Sequence, residues 1–296
     1  MEPPSPSLVR GANRRAGRGS LIVMAGAPEP RAPTATQVKR YLGKLISRIS
    51  RKLGYDFVKL THTSLGAQAS VEALAAHLRD LFAAARITCV LDVGANQGQY
   101  YEFLRDWVGY SGRVISFEPV PALAGELELR AASDPLWTVC SFALGSREET
   151  LPLRIAEHSG WSSLLEKAKA QVTEVADSVN VKEIVPVPVR RLDRVLSRVL
   201  PDYTNTNIYL KIDTQGFDLE VLKGAGTMLA SIVALQTELE FIPIYANAPS
   251  FISVMEYLQM NRYSLTGAFP VWRDRSLRVG EMDAVFRNVA LLGNSS

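Results

Sequence analysis

The stretch Thr88-Cys-Val-Leu-Asp-Val-Gly-Ala-Asn-Gln-Gly-Gln-Tyr-Tyr101 constrains this chain more than any other. It opens as an apolar run, breaks at glycines, and resumes from Gln99 to Val108 with residues that suit a helix. The reading is strand, tight loop, helix. Gly94 and Gly98 stand where a chain leaving a buried strand must bend, and a residue without Cβ lets the backbone come close to a ligand. Asp92 is read as closing the strand. Open α/β sheets bind ligands outside the carboxyl ends of their strands, so Asp92 is expected to touch one.

Spacing separates this loop from the dinucleotide fingerprint. That motif is Gly-x-Gly-x-x-Gly, whereas here it is Gly94-x-x-x-Gly98 with an acid two residues ahead. Such a loop suits a ligand without a pyrophosphate that offers a cationic or hydroxyl-rich edge. A second apolar run, Arg113-Val-Ile-Ser-Phe-Glu118-Pro119, ends in an acid about 24 residues after Gly94, the distance at which α/β nucleotide sites set a carboxylate on ribose hydroxyls. A third, Tyr209-Leu-Lys-Ile-Asp213, again closes on an acid. The plainer account makes the acids helix caps and the glycines turn residues; it explains each singly but not the set.

Val90-Leu-Asp-Val-Gly-Ala-Asn-Gln-Gly98, Phe117-Glu-Pro119, Leu210-Lys-Ile-Asp-Thr-Gln-Gly216 and Leu219-Glu-Val-Leu-Lys-Gly224 together resemble the FkbM family of S-adenosylmethionine-dependent methyltransferases, over about Leu53 to Arg287. The resemblance implies a Rossmann-like class I methyltransferase fold: α/β, a seven-stranded, mostly parallel sheet with helices on both faces. It also implies methyl transfer from S-adenosylmethionine, usually to a hydroxyl oxygen. Asp92, Gly94, Asn96 and Gly98 are then assigned to the methionine half of the donor, Glu118 to its ribose, and Phe142 and Ala143 to the adenine. Asp213 is the first candidate for general base, with Glu238 and His158 behind it. Alternatively, Asp213 and Glu238 hold a divalent cation that lowers the acceptor's pKa. Many members have Glu where this chain has Gln215, which puts any acid role there in doubt. A Rossmann-type nucleotide-binding oxidoreductase and a non-catalytic S-adenosylmethionine-binding protein are the alternative functions.

A chain of 296 residues, 47% hydrophobic, can build one large α/β domain, and two motif stretches about 120 residues apart that need each other favour one. Domain bounds are read as 1–36, a disordered basic tail; 37–87, a helical segment packed on the domain; and 88–296, the donor-binding domain, with an insertion at 144–190. Leu21 to Ala27, after Arg14, Arg15 and Arg18, resembles a signal peptide at the lower length limit, and a translation start at Met24 is the plainer account. No apolar run reaches the 18 or so residues of a spanning helix. Cys89 and Cys140 read as buried free thiols, and a cytoplasmic location is expected.

Charge is uneven. Residues 1–60 carry 12 Lys and Arg against three acids, leaving an acidic body. That argues against a nucleic-acid site in the catalytic region and leaves an anionic surface open as partner for the front. A small-molecule or glycolipid acceptor, with its hydroxyl on a sugar, glycolipid or polyketide-type compound, is what the resemblance implies. From 37 to 53, Val38, Tyr41, Leu42, Leu45, Ile46, Ile49 and Leu53 recur at helical spacing among basic residues. The segment is either a helix on the domain or a peripheral contact with an anionic membrane. A further helix is expected over Ser70–Ala85, capped by Ser70. Later elements are strands at Trp137–Ala143, Glu149–Ala156, Asn207–Asp213, Ile232–Glu240, Tyr263–Thr266 and Ala284–Leu292, with a polar helix at Leu164–Asp177. Ile184–Val189, with Pro186 and Pro188 at alternate positions, is read as an edge or irregular segment. Nothing in the sequence fixes the oligomeric state.

Overall fold

Contacts divide the chain into two units, residues 1–57 and 58–296. The computed structural model describes residues 64–168 and 180–292, all in the second unit. The tail over 1–36, the basic segment 37–53 and residues 169–177 of the expected polar helix lie outside the described residues.

The main sheet has seven strands: β1 (Cys89–Val93), β2 (Arg113–Phe117), β3 (Trp137–Cys140), β7 (Ile208–Ile212), β8 (Ala234–Glu240), β9 (Tyr263–Arg273) and β10 (Val279–Asn288). Their order is β3-β2-β1-β7-β8-β10-β9. The first five run parallel, and β10 lies antiparallel between β8 and β9. Strand order reverses beside β1, which places a crevice above the carboxyl ends of β1 and β7.

Strand alternation sets the layers. Cys89, Leu91 and Val93 of β1 and Ile208, Leu210 and Ile212 of β7 pack with α4 (Leu192–Val199), α5 (Asp218–Gly224) and α6 (Phe251–Met260). Val90 and Tyr209 face the other way, onto α1 (Ser64–Ala85) and the helix after the loop, α2 (Gln99–Phe103), which continues as a π-helical turn over Leu104–Val108. α3 (Pro121–Ala131) adds Leu127 to that second core. Helices thus cover both faces.

Several expected boundaries move. Ser70 lies inside α1, which begins at Ser64, so it is not the cap. The run Trp137–Ala143 is two strands: β3 stops at Cys140, and β4 (Ala143–Leu144) belongs to a second sheet with β5 (Glu149–Ala156) and β6 (Val181–Arg190), in the order β4-β6-β5. Leu164–Ala168 is not helical: a bend at Leu164 and Leu165 leads to an isolated antiparallel bridge between Lys167 and Tyr245. β6 is central rather than marginal, yet its prolines obey the edge rule. Gly145 N–H donates to Arg190 O, so even-numbered residues of β6 face β4, which reaches only Val189 and Arg190. Pro186 and Pro188 therefore point their missing N–H at the uncovered side, while the other side pairs with β5.

Candidate active site

A polar row crosses four strands on the α1 and α2 side. Asp92 on β1 is in register with Ser116 on β2 and Lys211 on β7, and Lys211 with Gln236 on β8. Lys211 Nζ lies 3.2 Å from Asp92, 3.3 Å from Asp213 and 3.4 Å from the Gly94 carbonyl, with the Tyr100 ring centroid at 5.1 Å. Ser116 donates to Asp92 at 3.3 Å. Burial pulls the Lys211 ammonium down, but the two carboxylates outweigh it and hold it above its ordinary value. Burial also raises Asp92, partly offset by Lys211. Asp92 is 0% exposed, so the expectation that it touches the ligand is corrected: it lies under the loop and anchors Lys211.

Gly94 borders the crevice and has φ 80°; a Cβ there would sit 1.9 Å from the Asp213 carbonyl oxygen, so it also lets the β1 and β7 loops approach closely. Of the two glycines, only Gly98 is corrected. Gly98, φ 79°, faces Leu127 and Arg130 of α3, away from the crevice. Phe142 packs on Phe117 in the core instead of on an adenine, while Ala143 does line the crevice.

Two cavities adjoin above the strand ends, with about 660 and 840 Å³ of empty space. The first is walled by Asn96, Glu118, Leu123, Ala143 and Leu144, with Ser159, Gly160, Ser162, Ser163 and Leu164 of the insertion along its other side. Glu118 accepts from the backbone N–H of Asn96 at 2.7 Å and of Val120 at 2.8 Å, fixing the loop's shape. Burial pushes its carboxyl up to about 7 despite those donors. Asn96 holds a positive φ of 48°, and its Oδ1 is buried without a partner. The second cavity is lined by Val71, Leu74, Phe103, Tyr100, Lys211, Gln236 and the acids Asp213, Glu238 and Asp283. Gly94, Asn96, Gly160 and Asp213 border both.

Asp213 follows β7, a third exposed. Gln215 spans from it to Glu238, its Nε2 donating to Asp213 at 3.1 Å and Glu238 at 2.9 Å. Burial, then the Asp213 charge, raises Glu238 well above the usual carboxylate range. Buried Asp218 accepts from Thr214 N–H at 2.9 Å, Thr237 Oγ1 at 2.7 Å and Glu238 N–H at 3.2 Å, tying the β7 loop to β8. Asp283, raised to about 6 chiefly by burial, accepts from Gln236 at 2.8 Å. His158 is corrected as a base candidate: it is exposed and lines neither cavity, because its turn presents Ser159 and Gly160 inward. Lys211, Asp218 and Asp283 escaped the sequence reading. A lysine inside an otherwise apolar buried strand was the signal for the first, while the others needed the register of β8 and β10.

Among the described residues no group of three or more His, Cys, Asp or Glu side chains is arranged to hold a metal ion. The donor set instead fits S-adenosylmethionine: an orphaned amide oxygen for an ammonium, a buried carboxylate for hydroxyls, and the apolar Leu123, Ala143 and Leu144 for a flat base.

This strand order, with helices on both faces, is that of the class I methyltransferase fold. The family model for the methyltransferase FkbM domain matches residues 92–265, and the chain belongs to that family of S-adenosylmethionine-dependent methyltransferases. Membership sets aside the oxidoreductase alternative. No curated protein matches the chain. Among solved structures it is similar to the methyltransferase FkbM of Methylobacillus flagellatus KT, at 16% identity and TM-score 0.43, covering 68% of this chain and 43% of that one; the present chain thus spans less than half of that relative. It is also similar to magnesium protoporphyrin IX methyltransferase of Synechocystis PCC 6803, with bound S-adenosylmethionine, at 10% identity and TM-score 0.39, covering 87% of this chain and all of that one.

Proposed function

We propose that this enzyme methylates a hydroxyl oxygen of a small molecule, a sugar, glycolipid or polyketide-type compound, with Asp213 as general base. The observation that carries the reading is that Asp213 is the carboxylate bordering both cavities. The donor occupies the first, with Asn96 Oδ1 accepting from its ammonium and Glu118 from its ribose hydroxyls. S-adenosylmethionine supplies a methyl group already activated by a positive sulfur. The chain's task is in-line positioning and removal of the acceptor's proton, worth several kcal/mol and about 100-fold or more respectively. Lys211, whose Nζ lies 3.3 Å from Asp213, holds that carboxylate at the border of the two cavities, where the acceptor hydroxyl hands over its proton.

The second cavity offers one ammonium beside three acids and so lacks the surplus of cations that a phosphate backbone needs, which supports a small neutral or cationic molecule over nucleic acid. The same proposal puts the enzyme in the cytoplasm, in keeping with the free buried thiols of Cys89 and Cys140, with segment 37–53 as a contact to anionic membrane; liposome co-sedimentation tests the latter. Among the described residues no helix is long and apolar enough to cross a membrane. The central test is transfer of labelled methyl to a panel of hydroxyl compounds. Asp213→Asn is expected to keep donor affinity and lower turnover roughly 100-fold or more. Near wild-type turnover in that variant would transfer the role to Glu238.

A further inference from the structure

Gln215 occupies a turn, where a side chain is usually solvated, yet it is only 8% exposed. Its φ is 53° and that of Gly216 is 87°. A non-glycine residue held in the left-handed region is held by its surroundings. Ser163 Oγ donates to its backbone carbonyl at 2.6 Å, and Tyr245, whose hydroxyl also reaches the Trp161 carbonyl, donates to its Oε1 at 3.0 Å. With the amide oxygen turned to Tyr245, both N–H groups face carboxylate oxygens of Asp213 and Glu238. A primary amide has two such donors, and both are used.

A divalent cation shared by Asp213 and Glu238 would need to stand between their oxygens, at about 2.0–2.6 Å from each. Nε2 of Gln215 already stands between them, and it is fixed from behind. We infer that the Gln215 carboxamide takes the place of a cation, so that Gln215 is the positioning residue that lets this site work without one. The residues present therefore do not fit the divalent-cation alternative. The substitution has a chemical consequence. A cation would hold the two carboxylates in place but depress their basicity, whereas a neutral amide orients them and leaves them able to accept a proton. The catalytic meaning of this rests on Asp213 acting as base; the statement about cations does not.

The test is Mn²⁺ binding to the full-length protein, followed by electron paramagnetic resonance, for wild type, Asp213→Asn, Gln215→Glu and Gln215→Glu/Asp213→Asn. Wild type is expected to show no site that Asp213→Asn removes, up to about 1 mM Mn²⁺. Gln215→Glu, which trades the amide for a third carboxylate, is expected to bind on the order of 100-fold tighter, and the double variant to lose that gain. Mn²⁺ should also raise the melting temperature of Gln215→Glu and leave wild type unmoved. Should Gln215→Glu fail to fold in plain buffer, refolding with Mn²⁺ is expected to recover it, and failure to recover counts against the inference. Saturable Mn²⁺ binding by wild type that Asp213→Asn abolishes, or no gain in Gln215→Glu, overturns it. None of these readouts involves methyl transfer, so a wrong assignment of the base leaves them unchanged.

Discussion

Replacing Lys211 with methionine keeps an unbranched apolar side chain but removes the ammonium over the Tyr100 ring, the only one within reach of Asp92 among the described residues. Asp92 is wholly buried, and its remaining donor is the Ser116 hydroxyl at 3.3 Å. Removing one partner of a buried ion pair costs about 3–5 kcal/mol, because the other charge is left uncompensated. The pair with Asp213 adds little, since that carboxylate is a third exposed and water screens it. In Lys211→Met, Asp92 escapes its charge by keeping a proton, so its folded pKa rises further above the unfolded value of about 3.9. A carboxylate raised in this way favours the fold at low pH and loses that stability as pH climbs through its folded pKa. The deficit against wild type should therefore be small near pH 4 and grow by up to about 1.4 kcal/mol per pH unit towards its limit. Urea unfolding at pH 5 and pH 8 measures it. Adding Asp92→Asn, which removes the stranded charge, should restore most of the loss at pH 8. A deficit equal at both pH values, or a double variant no better than the single, would refute the reasoning.

Three further outcomes follow from the loop. Glu118, at about 7 in the fold, makes the donor-free protein less stable as pH rises from its unfolded value of about 4.5 through 7, whereas ribose hydroxyls donating to it favour the ionised form. Calorimetry should therefore show donor affinity rising across about pH 6 to 8, and Glu118→Gln should flatten that rise and weaken binding by about 1–3 kcal/mol. Gly94→Ala meets the Asp213 carbonyl and should cost at least tenfold in donor affinity with a lower melting temperature; Gly109→Ala, at φ 74° with open space around it, bears only conformational strain of about 1–2 kcal/mol. Asn96→Gly, which tolerates the positive φ, should lose about 1–3 kcal/mol of donor binding while stability in urea holds, because Oδ1 has no partner to lose before the donor arrives.

The sequence carried the sheet well because β1, β2 and β7 are buried on both faces along most of their length and read as largely apolar runs, each broken by one inner polar residue. Acids that close a run, Glu118 after β2 and Asp213 after β7, were legible for the same reason, as sudden changes of polarity at a strand end. Asp92 has the same pattern, but one residue of strand lies beyond it, and that single step turns a ligand contact into a buried anchor. His158 misled because chemical capability says nothing of the direction a turn presents. The hairpin of β9 and β10 was longer than expected, since Gly267, Pro270 and Gly280 interrupt any period-two pattern there. Gln215 could be seen only as a departure from an acid; its bridge between Asp213 and Glu238 depends on strand neighbours far apart in the chain.

The pairing of Asp92 with Lys211 also bears on how the chain comes off the ribosome. β1, α2 and β2 are contiguous and can form early, but the ammonium that neutralises Asp92 arrives roughly 120 residues later. Until β7 is synthesised and inserted beside β1, the nascent half can bury Asp92 only as a neutral acid or leave it wet, so the sheet's centre stays provisional. Closing so long a connection is entropically slow and makes the join of β1 to β7 the late step of folding. The crevice and the stability of its floor then appear together, and a chain stalled before residue 211 has neither.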